Sequence, residues 1–377
     1  MLCIPHRYWN NRFAVCFSAV SAAVCFFFFW EERSTFRQRR AIELGAAAFL
    51  LLCFLSPLWS AYPLAGLRVA VFYLAAAALG WSAALLFSNT AEETQILGKS
   101  IYTALLLTSL YGIWQYVRGG ENYAVPVAGR LLPRLSSTLE HGINYSEFTA
   151  MAFPLAVVWA AEREKKRQRI VFLGLLLFPA AACLLTYSRT GYVSLALALI
   201  LLFRPWKKPL VLIPCVLLFG LFLPFPIRQR MMSMLVVTDE SASGRFTLWK
   251  ECLSLWQDHR ILGAGLGSAN FRSAYLPRFG GTLPFTPPHA NMGYLEILFS
   301  LGLAGGVSFV LFFFGIFPPL HRAIRKSTGR DKLRLRALQA SLAGAALANI
   351  PEHLWFYPRT LFFWSVLYGL AYRLSLI

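Results

Sequence analysis

Apolar residues run through this chain in long stretches broken by short polar links. Eleven stretches are mostly hydrophobic: near 13–30, 41–59, 65–87, 100–117, 144–161, 170–187, 190–203, 209–224, 292–317, 337–350 and 356–375. About 17–25 apolar residues suffice for a helix to cross a bilayer, so these stretches predict transmembrane helices. Two of them, 190–203 and 337–350, are short enough to change the count by one. An open sheet leaves backbone groups unpaired in lipid, and a barrel needs alternating strands of about ten residues. The expected fold class is therefore an all-α polytopic membrane protein. The pattern divides it into about eight transmembrane helices over 1–224, one large extracytoplasmic loop over 225–291, and about three transmembrane helices over 292–377.

Two outer segments interrupt the helices, at about 118–143 and 225–291. In the second, "SGRFTLWKECLSLWQDH" places Phe246, Trp249, Leu253 and Trp256 on one helical face and Lys250, Glu251, Gln257 and Asp258 on the other. That pattern predicts a helix lying in the membrane surface with its tryptophans at headgroup depth. "ILGAGLGSANF" follows, and its GxGxG has no preceding strand or surrounding βαβ unit. A turn is expected there, not a dinucleotide fingerprint. Asn144-Tyr-Ser fits a glycosylation triplet by pattern, but its place at a helix start favours capping.

Composition agrees with the pattern: 57% of the 377 residues are hydrophobic, 14% are charged, and the mean hydropathy is +0.55. The net charge of +19 sits in short links, "EERSTFRQRR", "EREKKRQR", "RPWKK" and "HRAIRKSTGRDKLRLR". These fall on one side if the helices alternate, and the positive-inside rule makes that side cytoplasmic. The amino terminus is then outside and the carboxyl terminus inside. Nucleic acid is excluded as a partner because no basic cluster lies on a folded soluble domain; anionic membrane lipid is the expected contact. The seven cysteines include no CxxC pair, which argues against zinc and a disulfide framework. "CFFFFWEER" lacks a small-residue cleavage site, so the first stretch is expected to be a retained helix.

Ionisable residues are nearly absent from the middles of the apolar stretches. They gather at the non-cytoplasmic ends: Arg134, Glu140, His141, Glu147, Arg189, Arg245, His289, Glu296, Glu352, His353 and Arg359. An ion-coupled transporter places such groups along its path, so this distribution favours work at the outer leaflet. Arg189, in "TYSRTGY" between two apolar helices, either snorkels to headgroups or holds an anion. Arg245 opens the interfacial helix near its positive end, where an anion is favoured. Glu296 follows His289 by seven residues, two helical turns on the same face, where it orients a side chain or caps the membrane boundary. No DxD occurs among the three aspartates, so neither a metal nor another cofactor is expected. Arginines supply bidentate, always-charged contacts in its place.

Three blocks, "SRTGY", "GRFTLWKECLSLWQDHRILGAGLGSANF" and "HANMGYLEILFSLGLAGG", resemble the hallmarks of the O-antigen ligase and polymerase family. "STLEHGINYSEFTAMAFPLA" resembles its upstream block, and "LSPLWSAYPLAG" agrees more loosely. His259-Arg260 stands where a proline is common in the family. The resemblance implies a class C-like membrane glycosyltransferase of 11–12 transmembrane helices that uses a glycan linked through diphosphate to undecaprenol. Its site would face the extracytoplasmic side of the cytoplasmic membrane. By this likeness Arg189 and Arg245 bind the diphosphate and His289 serves the acceptor. A histidine is mostly neutral at pH 7 and can take the acceptor's proton, so His289 is the expected base, with Glu296, Asn291, Arg134 and Trp249 as supporting candidates. The acceptor would be lipid-linked, as for a lipopolysaccharide ligase. A growing glycan would make the protein an O-antigen or capsule polymerase, and a protein side chain a protein O-oligosaccharyltransferase. A polysaccharide exporter or flippase would need charges along a central path and weak two-fold repetition, and the chain has neither.

Overall fold

The structure is a computed structural model that describes residues 40–87, 89–119, 124–127, 130–139, 141–203, 225–232, 240–283 and 286–376. The expected spans at 13–30 and 209–224, and Glu140, lie outside the described residues. In chain order the helices are α1 (Arg40–Leu55), α2 (Pro63–Leu86), α3 (Ala91–Val117), α4 (Gly142–Ala161), α5 (Lys166–Leu175), α6 (Leu177–Leu184) and α7 (Arg189–Leu202). There follow α8 (Phe225–Met232), α9 (Glu240–Asp258), α10 (Ser268–Phe279), α11 (Gly293–Gly315), α12 (Phe317–Lys326), α13 (Gly329–Ala348) and α14 (Pro358–Leu374). The protein is an all-α polytopic membrane protein with one added feature, an antiparallel hairpin of β1 (Ala124–Val127) and β2 (Arg130–Pro133) in the first outer segment.

Five stretches among the described residues are long and apolar enough to cross a membrane: Ala41–Leu58, Pro63–Leu86, Ala91–Val117, Lys166–Leu184 and Gly293–Lys326. Two of these contain breaks. Pro179 has no N–H to offer the carbonyl of Leu175, and α5 ends at that residue. Pro318 and Pro319 deny Phe314 and Gly315 their partners in the same way, separating α11 from α12. Helix α4 holds polar Asn144, Ser146, Glu147 and Thr149 and is buried almost throughout. It begins at Gly142 with His141 in the cap position, so Asn144 lies inside the first turn and does not cap it.

The described helices form two compact units. One holds α3 to α8, the hairpin and α13. In it α4 packs against α3, α7 and α13, and Arg334 binds Glu162 through two bonds of 2.8 Å. The other unit holds α1, α2, α9 to α12 and α14, with α1 packed on α11 and α2 on α14.

In the second unit α11 is not the continuous span expected over 292–317. Gly302 takes φ 63° and ψ −162°, which breaks the helix. The glycine turn after α9 docks into the gap. Ala264 and Gly265 donate to the carbonyls of Phe299 and Ser300, both at 2.9 Å. Leu303 and Ala304 donate to Arg260 and Ile261 at 2.8 and 3.1 Å. Irregular backbone at membrane depth persists only where protein satisfies it in this way. A Cβ on Gly302 would lie 2.2 Å from the Ile261 oxygen, so the close approach requires glycine. Positive φ at Gly263, Gly265 and Gly267 agrees with the turn expected there. Asn270 fastens the turn to the start of α2: its Oδ1 accepts from Tyr62 N at 2.6 Å, and its Nδ2 donates to Leu266 O at 2.7 Å.

Helix α9 departs from its expected form in two respects. It starts at Glu240, so Arg245 lies more than a turn inside and does not open the helix. Its packed face is Leu248, Cys252 and Leu255, set against Phe271, Tyr275, Leu295 and Phe299. Glu251, expected on the solvent side, is buried beside this face and accepts from the Tyr275 hydroxyl at 2.6 Å. Phe246 and Leu253 remain exposed. The helix thus carries a packed face and a second apolar strip on its outer side.

Candidate functional site

The mouth of α11 gathers most of the residues singled out in the sequence. His289 lies in the loop before the helix, so the helical alignment expected between it and Glu296 does not exist. The loop instead folds back on itself. Asn291 takes a positive φ of 50°, and its N–H donates to His289 Nδ1 at 3.1 Å. Glu296, in the first turn of α11, accepts from Ala290 N at 2.8 Å and faces the Ser300 hydroxyl at 3.4 Å. Gly293 N donates to the carbonyls of Asn349 and Glu352, both at 2.9 Å, which ties the loop before α14 to the same helix end.

The electrostatics follow from burial. His289 is only 5% exposed, and desolvation pushes its pKa down to about 4. It is neutral at pH 7. Because Nδ1 accepts a hydrogen bond, the neutral ring carries its hydrogen on Nε2. His353 lies beside it, with ring centroids 5.3 Å apart, and burial followed by the neighbouring imidazole holds its pKa well below the ordinary value. Phe356 packs on His289 at 4.4 Å between centroids. Arg245 forms an ion pair with Glu352, the residue next to His353. Trp249, half-buried, packs against the cluster that includes Ala290 and Leu295. A cavity of about 130 Å³ opens alongside, lined by Glu296, His353, Ser268, Tyr73, Phe72 and Trp355 among others.

Arg189 and Arg134 belong to the other unit. Arg189 is the first residue of α7, whose N-cap Ser188 accepts from Gly191 N at 3.2 Å. Arg134 Nε donates to Thr186 O at 2.8 Å, and Leu135 N to Leu185 O at 3.1 Å. The chain after the hairpin is therefore fastened to the link that presents Arg189. Tyr187 adopts a positive φ of 50° in that link, and its hydroxyl lies 3.2 Å from that of Tyr116. The structure thus groups Arg134 with Arg189, and Arg245 and Trp249 with His289, Asn291 and Glu296. Glu352, His353 and Ser268 were not assigned site roles from sequence. The signal for the first two was their place among polar groups at a non-cytoplasmic helix end, while nothing distinguishes Ser268 from any serine after a glycine turn.

These features define a polytopic membrane protein whose titratable groups converge where an apolar helix begins. A family model described as O-antigen ligase matches residues 151–310, somewhat under half of the 377 residues, so this stretch is similar to the O-antigen ligase family. The matched stretch contains Arg189, Arg245, Trp249, His289, Asn291 and Glu296, while Arg134 and His353 fall outside it. The chain matches none of the curated proteins with which it was compared.

Proposed function

We propose that the protein transfers a glycan from an undecaprenyl-diphosphate donor to an acceptor hydroxyl at the outer face of the cytoplasmic membrane, as an O-antigen ligase. The observation that carries this reading is His289: a buried, neutral imidazole at the mouth of an apolar helix, inside the matched stretch, with Nε2–H left to donate. Breaking the sugar–phosphate bond leaves negative charge on the diphosphate. Donors held ready in a low-dielectric site stabilise such charge, and charge-assisted bonds contribute about 1.5–3 kcal/mol each. Arg189 and Arg245 provide permanent cations for it, and His289 a neutral donor. Arg245 is held by Glu352, which fixes its guanidinium near His353. Polymerase and protein O-oligosaccharyltransferase share this donor chemistry and differ in the acceptor.

Reconstitution in liposomes with an undecaprenyl-diphosphate oligosaccharide tests the reading. Arg189→Ala, Arg245→Ala and His289→Ala are each expected to lower glycan transfer at least ~100-fold while the protein still inserts in the membrane. Wild-type transfer is expected to persist in EDTA. Full activity in any two of the three variants, or strict dependence on added divalent metal, would defeat the assignment.

A further inference from the structure

An acceptor hydroxyl must lose its proton as it attacks, and His289 is poorly placed to take it. Its one basic nitrogen in the neutral form, Nδ1, already accepts from Asn291 N. The cavity beside it offers another group. We infer that Glu296 takes the hydroxyl proton and that His353 positions the hydroxyl within this cavity; the inference rests on the glycosyl-transfer reading above.

Glu296 is 5% exposed and lines the cavity. Its contacts from Ala290 N at 2.8 Å and the Ser300 hydroxyl at 3.4 Å use two of the roughly four acceptor sites a carboxylate offers. Acceptor capacity therefore remains on the carboxylate. His353 is 6% exposed, lines the same cavity, and has a buried Nδ1 with no hydrogen-bond partner among the described residues. A buried polar atom normally finds a partner; this nitrogen has none among the described residues, and its residue lines the cavity. A cavity of about 130 Å³ has room for several waters, at about 10–15 Å³ each by the same kind of measure, or for the hydroxyl-bearing edge of a sugar.

In the step this arrangement supports, the acceptor oxygen forms a bond to the anomeric carbon as the bond from that carbon to the diphosphate oxygen breaks. The electron pair of the broken bond leaves on the diphosphate. The hydroxyl proton passes to the Glu296 carboxylate, and His353, in the tautomer with its hydrogen on Nδ1, donates to the hydroxyl oxygen and holds it in line. His289 and the arginines then serve the leaving group, which divides the labour between an anionic proton acceptor and a set of donors.

The test uses the full-length protein in liposomes, an undecaprenyl-diphosphate oligosaccharide as donor, and rough lipopolysaccharide or the donor glycan itself as acceptor. Release of undecaprenyl diphosphate counts turnovers. Glu296→Gln keeps an oxygen for Ala290 N and is expected to slow transfer at least ~100-fold, the usual reach of general-base catalysis, with the donor KM nearly unchanged. Azide has no proton to lose, so it should restore release in Glu296→Gln and give the glycosyl azide. His353→Phe should raise the acceptor KM about tenfold or more, whereas His353→Asn, which keeps a polar atom near the position of Nδ1, should stay within about threefold. Wild-type rates in Glu296→Gln, or equal slowness with and without azide, would overturn the inference, as would an unchanged acceptor KM in His353→Phe. If the wild-type protein releases no undecaprenyl diphosphate, the glycosyl-transfer reading falls and this inference with it.

Discussion

His289 keeps its proton off Nδ1 because burial leaves no water to share the charge and a backbone N–H occupies the nitrogen. An unfolded chain would return the side chain to its ordinary pKa of about 6.5, against about 4 when folded. The unfolded state then binds the proton first as the solution is acidified. Stability from this group is whole above pH 6.5, and it is lost as pH falls from there toward 4. By pH 5.5 the loss from His289 comes to about 1 kcal/mol, and His353 acts in the same direction. Thermal unfolding in detergent at pH 7.5 and 5.5 should show a clear acid loss in wild type and a smaller one in His289→Asn, whose amide oxygen still accepts from Asn291 N. An equal loss in both would mean that His289 is already charged or solvated in the folded state. The motif "PPHAN" made this histidine legible in the sequence as a site candidate. Its tautomer was not, because that depends on the positive φ of Asn291, which only the folded loop reveals.

Among the elements, the broken helix α11 carries the most structural consequence. "SLGLAGG" reads as ordinary apolar helix because glycine is common in membrane spans, and nothing local announces a break. The break exists because residues 260–265, some forty positions earlier, supply the partners that Phe299, Ser300, Leu303 and Ala304 lose. Both halves of this arrangement were present in the sequence, the glycine turn and the glycine-bearing span, but their pairing is a long-range fact. The same limit hid Glu251, which periodicity placed in solvent and Tyr275 draws inward. Gly302→Ala would force a Cβ to 2.2 Å from the Ile261 oxygen at a φ of 63°. Strain and overpacking each cost about 1–3 kcal/mol, so the variant should lose several degrees of thermal stability and most of its transfer activity. Gly306 lies in the same helix, where an added Cβ meets only the Leu298 side chain at 3.4 Å. Gly306→Ala is the control and should be nearly neutral. Equal behaviour of the two variants would show that the turn and the break do not support each other.

For the whole molecule, the class of fold was legible because lipid imposes it: run length and charge-poor stretches force helices regardless of their packing. The grouping into two units was not, since α1 and α11 meet across more than two hundred residues and α3 joins α13 across a similar span. Local detail was equally hidden: prolines separate α5 from α6 and α11 from α12, and α4 turns its polar side chains into the protein interior. Orientation is the remaining whole-molecule property on which the proposed function depends, because a diphosphate donor at the outer leaflet meets only groups on that side. By the positive-inside rule the basic links "EREKKRQR" and "HRAIRKSTGRDKLRLR" are expected to hold the ends of α4 and α12 on the cytoplasmic side. On that expectation the loop carrying Asp258 and His259 would lie outside. Cys53, Cys183 and Cys252 are buried, and with Cys3, Cys16, Cys25 and Cys215 replaced by serine, single reporter cysteines at exposed positions can be read against a low background. In intact cells a membrane-impermeant maleimide should label Asp258→Cys readily. Thr328→Cys should stay unlabelled until the membrane is permeabilised. The opposite result would put His289, Glu296 and Arg245 on the cytoplasmic side, where a donor presented at the outer leaflet never reaches them.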